Sequence, residues 1–478
     1  MTSRLWTVAM AAMAGMALLA PAVSAQQEPA PAQEPSAETT QQPEATPPAP
    51  AGPVGGVEAY RLEGNGLGRS NYVVRLTVQE FYNSNPVYAQ TTASAQSDSV
   101  STITGGITLQ ALQRNSSFSL DYSSEGLIYN NGALPNAAIQ QLGVNEKLTL
   151  RRWSLFFGEN FSYLPSSAFL LGGLGITGGT SAGLPGVGGS TGFNQYLQPT
   201  QTVGAVGASQ ISSASAFQAQ YDLGGSAILH ASVVAGYLHF LGSGSDLVNT
   251  RTIAAQFGYD KGFTRRDTIS ISYAPTRLDY SAGYQGFTSH QILVGYRRLL
   301  TGHLNVSLQG GPNIIHFSTA TGQAALPGGT NMLSWSLYGT LAYAMRNGSI
   351  SAQYSHGTAG GSGFLIGSIN DQVNASFVHR FSRSWSAVLN GGFARNSSLE
   401  QTTPGTTSST AYIFNTWFAG VSVTRNLGRY SKLAFNYNAT RQTGNTTTCV
   451  NALACGPIAL TQIIGVTLNW SSRPMKLE

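Results

Sequence analysis

Charge is what this sequence has least of. Only 9% of its 478 residues are Asp, Glu, Lys or Arg, against roughly a quarter in an ordinary soluble protein. Polarity is carried instead by Ser, Thr, Asn and Gln, which speaks against the charged outer face of a soluble sandwich or propeller. The formal net charge is +5, and no Lys/Arg run is long enough to serve as a nucleic-acid arm. Cysteine is nearly absent. Cys449 and Cys455 are not spaced as Cys-x-x-Cys and have no His nearby, so no metal or redox centre is expected. Loop residues flank them (Gly444-Asn445-Thr446 and Gly456-Pro457), and in an oxidising compartment they are expected to close one small disulfide loop. Past the N-terminus there is no run of about 18 apolar residues, the length of a spanning helix. His-Glu-x-x-His and Gly-x-x-x-x-Gly-Lys patterns are also missing. Histidines are scattered singly, and the Ser289-His290 and Ser355-His356 pairs would point to opposite faces of a strand. The expectation is no enzyme, no cofactor and no metal.

What is present begins with an export signal. Arg4 supplies the positive end, Val8 to Leu19 the apolar core, and Val23-Ser24-Ala25 a small-residue cleavage site before Gln26. The segment 1–25 is therefore read as a signal peptide. No cysteine lies near the site, which excludes a lipoprotein anchor. Residues 26–56 are rich in Pro, Ala, Gln and Glu and hold almost no large apolar side chain, so they cannot bury a core. They read as a disordered periplasmic segment, followed by a short lead at 57–70.

From about Asn71 the chain alternates. In Met332–Met345, Leu333, Trp335, Leu337, Leu341 and Tyr343 share one face, and Ser334, Ser336, Tyr338 and Thr340 the other. Phe118, Leu120 and Tyr122 likewise oppose Ser117, Ser119, Asp121 and Ser123. One greasy and one small, polar face suits a wall between lipid and water. About 18 such segments occur, with 16 as the alternative count, each long enough to cross a membrane when tilted. Their connections alternate short and long, as in membrane barrels. Arginines gather at the short connections, and Tyr72, Tyr163, Tyr221, Tyr237, Tyr296, Trp385, Trp417 and Trp470 suit interfacial girdles. The fold expected is all-β: a transmembrane antiparallel up-and-down β-barrel over 71–471, followed by a tail at 472–478. An even strand count puts both termini on the periplasmic side. Glu159 is discordant, because alternation groups it with Leu155, Phe157 and Phe161 on the lipid face. A bulge, a register error or a position above the membrane would each resolve it.

The last strand, Thr461 to Trp470, carries a Gly465-x-x-Leu468-x-Trp470 spacing that resembles the C-terminal insertion signal of bacterial outer-membrane barrels. Ile463 stands where that signal usually has a polar residue, and eight residues follow Trp470. The resemblance implies a Gram-negative outer membrane, the barrel-insertion machinery as a partner, and contact with outer-membrane lipid and lipopolysaccharide. The layout of signal, Pro-rich lead and barrel also resembles uncharacterised outer-membrane proteins associated with exopolysaccharide secretion.

The connection 165–208 is long, Gly-rich and free of charged residues. Connections of this length are usually functional or disordered. Its place as the third long loop resembles the constriction loop of general porins. Folded inward, it would narrow the lumen with Phe169, Leu170, Leu171, Phe193 and Tyr196. Scattered charge is expected on the lumen face at Arg75, Asp121, Glu125, Lys147 and Arg151. A lining otherwise of Asn, Gln, Ser and Thr suits small neutral solutes. The function expected is a porin-like channel for passive diffusion. The alternative is a closed or narrow barrel with a structural, surface-interaction or exopolysaccharide-export role. A homo-oligomer is one arrangement open to a porin-like barrel.

Overall fold

A computed structural model describes residues 70–87, 94–165, 209–241, 248–281, 286–318, 331–359, 367–399, 413–444 and 460–476. The segments read as signal peptide and Pro-rich lead, the candidates Phe169, Leu170, Leu171, Phe193 and Tyr196, and both cysteines lie outside the described residues.

Eighteen long strands follow one another. They are β1 (Asn71–Asn83), β2 (Asp98–Leu112), β3 (Ser116–Tyr129), β4 (Ala137–Thr149), β5 (Trp153–Leu164) and β6 (Ser209–Gly224). Then come β7 (Ala227–Leu241), β8 (Thr250–Gly262), β9 (Asp267–Tyr280), β10 (Phe287–Leu299), β11 (Leu304–Phe317) and β12 (Asn331–Met345). The last six are β13 (Gly348–Ala359), β14 (Ser368–Arg380), β15 (Trp385–Ser398), β16 (Ile413–Asn426), β17 (Ser431–Gly444) and β18 (Thr461–Ser471). Each pairs antiparallel with its sequence neighbours, and β1 pairs with both β2 and β18, closing the ring. Closure leaves no edge, which a membrane demands, because each backbone group left unpaired in lipid costs several kcal/mol. A two-residue strand, β19 (Met475–Lys476), returns to pair with Asn71 and Tyr72.

Alternation decides which face each residue takes. On β1, Val74, Leu76 and Val78 are exposed to the outside, while Arg75, Thr77 and Gln79 point inward. The two faces carry through the register from strand to strand, so the outer wall is an apolar belt and the inner wall a polar one. The structure is a transmembrane antiparallel barrel of 18 strands. Short connections such as 150–152, 225–226 and 346–347 alternate with long ones such as 84–97 and 165–208. We refer to the short-turn end and the loop end. The girdle aromatics Trp153, Tyr296, Trp385 and Trp470 ring the outer face near the short turns, and Tyr163, Tyr237 and Trp417 near the loops.

Register is nearly unbroken. A shift occurs only between Asp222 and Gly224, beside the β6–β7 turn, among the described pairings. The glycine pairs Gly105-Gly106, Gly310-Gly311 and Gly391-Gly392 cause no bulge. At Gly311 the backbone of Ile292 comes so close that a Cβ would collide with its carbonyl oxygen. Pairing lapses where Pro275 faces β8 and where Pro312 faces β10, then resumes in the same register. Proline has no N–H to give the ladder.

Candidate functional site: the barrel lumen

The inner wall from β13 to β18 is a field of amides and hydroxyls. Gln353, Asn374, Asn390, Asn436 and Asn438 face inward, half-buried. Glycines on neighbouring strands make room for them. A Cβ at Gly420 would collide with the amide oxygens of Asn390 and Asn438, and one at Gly392 with that of Asn374. The amides lie along the wall and bond one another: Gln372 Nε2 donates to Asn374 Oδ1 at 3.3 Å, and Asn436 Nδ2 to Thr467 Oγ1 at 3.0 Å. Across the closing seam, Thr77 Oγ1 donates to Asn469 Oδ1 at 2.8 Å. Between its ends such a lining offers donors and acceptors without charge, while Arg380 and Lys432 face inward at its short-turn end.

The charged positions expected on this face fall into different places. Arg75 of β1 and Asp121 of β3 point inward and form an ion pair across β2, to which Thr108 Oγ1 donates a further bond at 2.5 Å. Gly106 lies between them and leaves space for the guanidinium, which would stand 3.5 Å from a Cβ there. Glu125 also faces inward and is buried. Lys147 faces inward near the short-turn end and is exposed. Arg151 lies beyond the wall, exposed in the β4–β5 turn. Sequence reading missed the inward pair His230 and Asp260, whose Nδ1 and Oδ2 are 3.5 Å apart. Nothing in their local sequence links two residues so far apart on separate strands.

The loop end of the inner wall is different. Phe81, Val100, Leu127, Tyr129, Ile139, Leu164 and Ile463 form one buried apolar cluster, and Leu278, Phe287, Ile315, Phe317 and Leu399 another. Those on strands share parity with polar wall positions one step nearer the short turns, as Phe81 does with Gln79 and Leu127 with Glu125, while Leu399 lies just past the end of β15. The lumen therefore passes from apolar patches at the loop end to neutral amides and hydroxyls deeper in. Alternation alone does not reveal this, because it assigns faces and not depth.

Glu159 stands on the outer face after all. Pairing of β5 with β4 and β6 runs without a shift through Val144↔Glu159 and Glu159↔Ser215, so neither a bulge nor a register error removes it. On β5 it lies between Phe157 and Phe161, with Trp153 and Tyr163 beyond them, and so within the apolar belt. Its carboxylate accepts hydrogen bonds from the hydroxyls of Ser213, at 2.7 Å, and Ser215. These bonds partly replace the solvation that lipid withholds.

Ser355 points into the lumen and His356 outward, where its Nδ1 lies 2.6 Å from Asp371 Oδ1 and its ring stacks on Trp335. The adjacent Ser–His pair is thus split across the wall. Among the described residues no group of three or more His, Cys, Asp or Glu is placed to hold a metal ion.

No protein-family model and no curated protein matches the chain. Among solved structures it is similar to OccAB3 of Acinetobacter baumannii, with 10% identity over 84% of this chain and 99% of that one, and a TM-score of 0.42. It is also similar to OccK9 (OpdG) of Pseudomonas aeruginosa, with 14% identity over 85% and 98%, and a TM-score of 0.42. The outer membrane protein opdK of Pseudomonas aeruginosa shares 12% identity over 84% and 99%, with a TM-score of 0.41. The closed strand ring and the sorting of its two faces make this chain a transmembrane barrel with a polar inner wall.

Proposed function

We propose that the chain is an outer-membrane, porin-like channel for passive diffusion of small neutral polar solutes, narrowed by the connection 165–208. The observation that carries this reading is the inner wall of neutral amides and hydroxyls, in which Arg75 and Asp121 cancel each other's charge. Neutral donors and acceptors exchange hydrogen bonds with a passing solute without selecting strongly for either sign of ion. The export signal and even strand number support an outer-membrane place with both termini periplasmic. Lipopolysaccharide and phospholipid would then cover the apolar belt, and the Gly465, Leu468 and Trp470 pattern would be read by the insertion machinery.

A second reading is a narrow or closed barrel with a surface or export-partner role. It is favoured by the two apolar clusters on the inner wall at the loop end.

Single-channel conductance of the refolded protein in a planar bilayer, with and without residues 168–200, separates the two. Discrete steps in the full chain, larger after the deletion, are expected. Silence in both, from protein known to be inserted, would favour the second reading.

A further inference from the structure

The outer wall carries a concavity of about 700 Å³ across β5 to β10, towards the short-turn end. Its origin lies in two adjacent register rows. One row runs Trp153, Tyr221, Leu229, Tyr259 across successive strands. The next, deeper in the belt, runs Ala219, Ala231, Phe257. The two alanines leave a floor between large side chains: Trp153 and Tyr221 towards the short turns, Phe257 and Tyr273 beside. These walls are apolar and exposed to the outside, Phe257 by 54%.

Cations border the same groove at its short-turn rim. The Arg152 guanidinium is exposed and hydrogen-bonded to the Tyr221 hydroxyl, while the Trp153 and Tyr221 rings lie 4.7 Å apart. Lys261 Nζ donates to the Gly225 carbonyl at 2.8 Å on the other side of Tyr221's strand. Of the nearby carboxylates, Asp222 falls on the inner face by parity yet still acts on the Arg152 charge, and Asp267 is occupied by Thr264, Tyr296 and Arg298. An apolar slot inside the belt, with positive charge where the belt meets water, has the layout of an amphiphile with a tail and an anionic head.

We propose that this groove is a binding site for one glycerophospholipid of the short-turn leaflet, with an acyl chain over Ala219 and Ala231 and the phosphodiester at Arg152 and Lys261. The site lies on the opposite face of the wall from the lumen, so its occupancy is separable from conduction. The charge complementarity selects a lipid over a second copy of the chain, which would bring the same cations to the same rim.

The test is native mass spectrometry of the detergent-solubilised full chain with added phosphatidylglycerol. One lipid adduct that survives activation is expected on the wild-type protein. Ala231→Phe, which fills the floor, should abolish it, and Arg152→Gln should weaken it. Ala419→Phe, an outward alanine on β16, should leave it unchanged. Heat-dependent gel migration checks that each variant has folded. No adduct on the wild type, retention by Ala231→Phe, or a dimer mass lost in Ala231→Phe would each overturn the proposal. The last would make the groove a contact between copies.

Discussion

Gly465 of β18 faces Phe81 of β1 across the seam that closes the barrel, and a Cβ at Gly465 would stand 2.6 Å from that of Phe81. The glycine belongs to the C-terminal pattern Gly465-x-x-Leu468-x-Trp470, so the residue spacing that resembles an insertion signal also sets how closely first and last strands approach. Gly465→Val should therefore impair closure. The heat-modifiable fraction after refolding is expected to fall to a minor share, while Gly105→Val, with nothing within 4 Å of its Cβ, should fold like the wild type. Equal yields from both variants would refute the role given to the seam.

The Arg75–Asp121 pair should hold the lumen near charge balance. Arg75→Ala leaves Asp121 alone on the wall and should shift the reversal potential in a salt gradient towards cation preference. Asp121→Ala should shift it the other way, and the double variant should return close to wild type. No shift in either single variant would mean that permeating ions do not pass this pair.

Glu159 sits where a carboxylate is costly. Glu159→Leu should raise stability by about 1–2 kcal/mol, since charged groups on the lipid face of barrels are destabilising. Urea unfolding in lipid vesicles measures it. A loss of stability instead would mean that the bonds from Ser213 and Ser215 outweigh the cost of the carboxylate.

The cysteines carry an expectation of their own. Cys449 and Cys455 should react with a membrane-impermeant thiol reagent on intact cells only after reduction. Labelling without reductant would mean free thiols.

The wall was legible in the sequence because period-two alternation persists along nearly every strand. Leu333, Trp335 and Leu337 against Ser334, Ser336 and Tyr338 needed no neighbour to be sorted. Alternation also sorted the girdle aromatics. Three features lay beyond it. The partnership of Arg75 with Asp121 depends on the register of β1, β2 and β3, which no local pattern encodes. The apolar clusters around Phe81 and Phe287 depend on depth along the barrel, and alternation is blind to depth. The assignment of Glu159 to lipid was correct by parity, but its tolerance depends on two serines of β6, more than fifty residues away.

The short strand Met475–Lys476 lies beside Asn71–Tyr72, so the chain enters and leaves the barrel at one spot on the seam. This has a mechanical consequence. Tension applied through Ser70 along the barrel axis loads the bonds of β1 to β2 and β18 in shear, all at once. The same tension applied sideways opens them one by one, starting at Asn71. Whatever takes hold of the segment before Ser70 thus finds a wall that resists a straight pull far better than an oblique one.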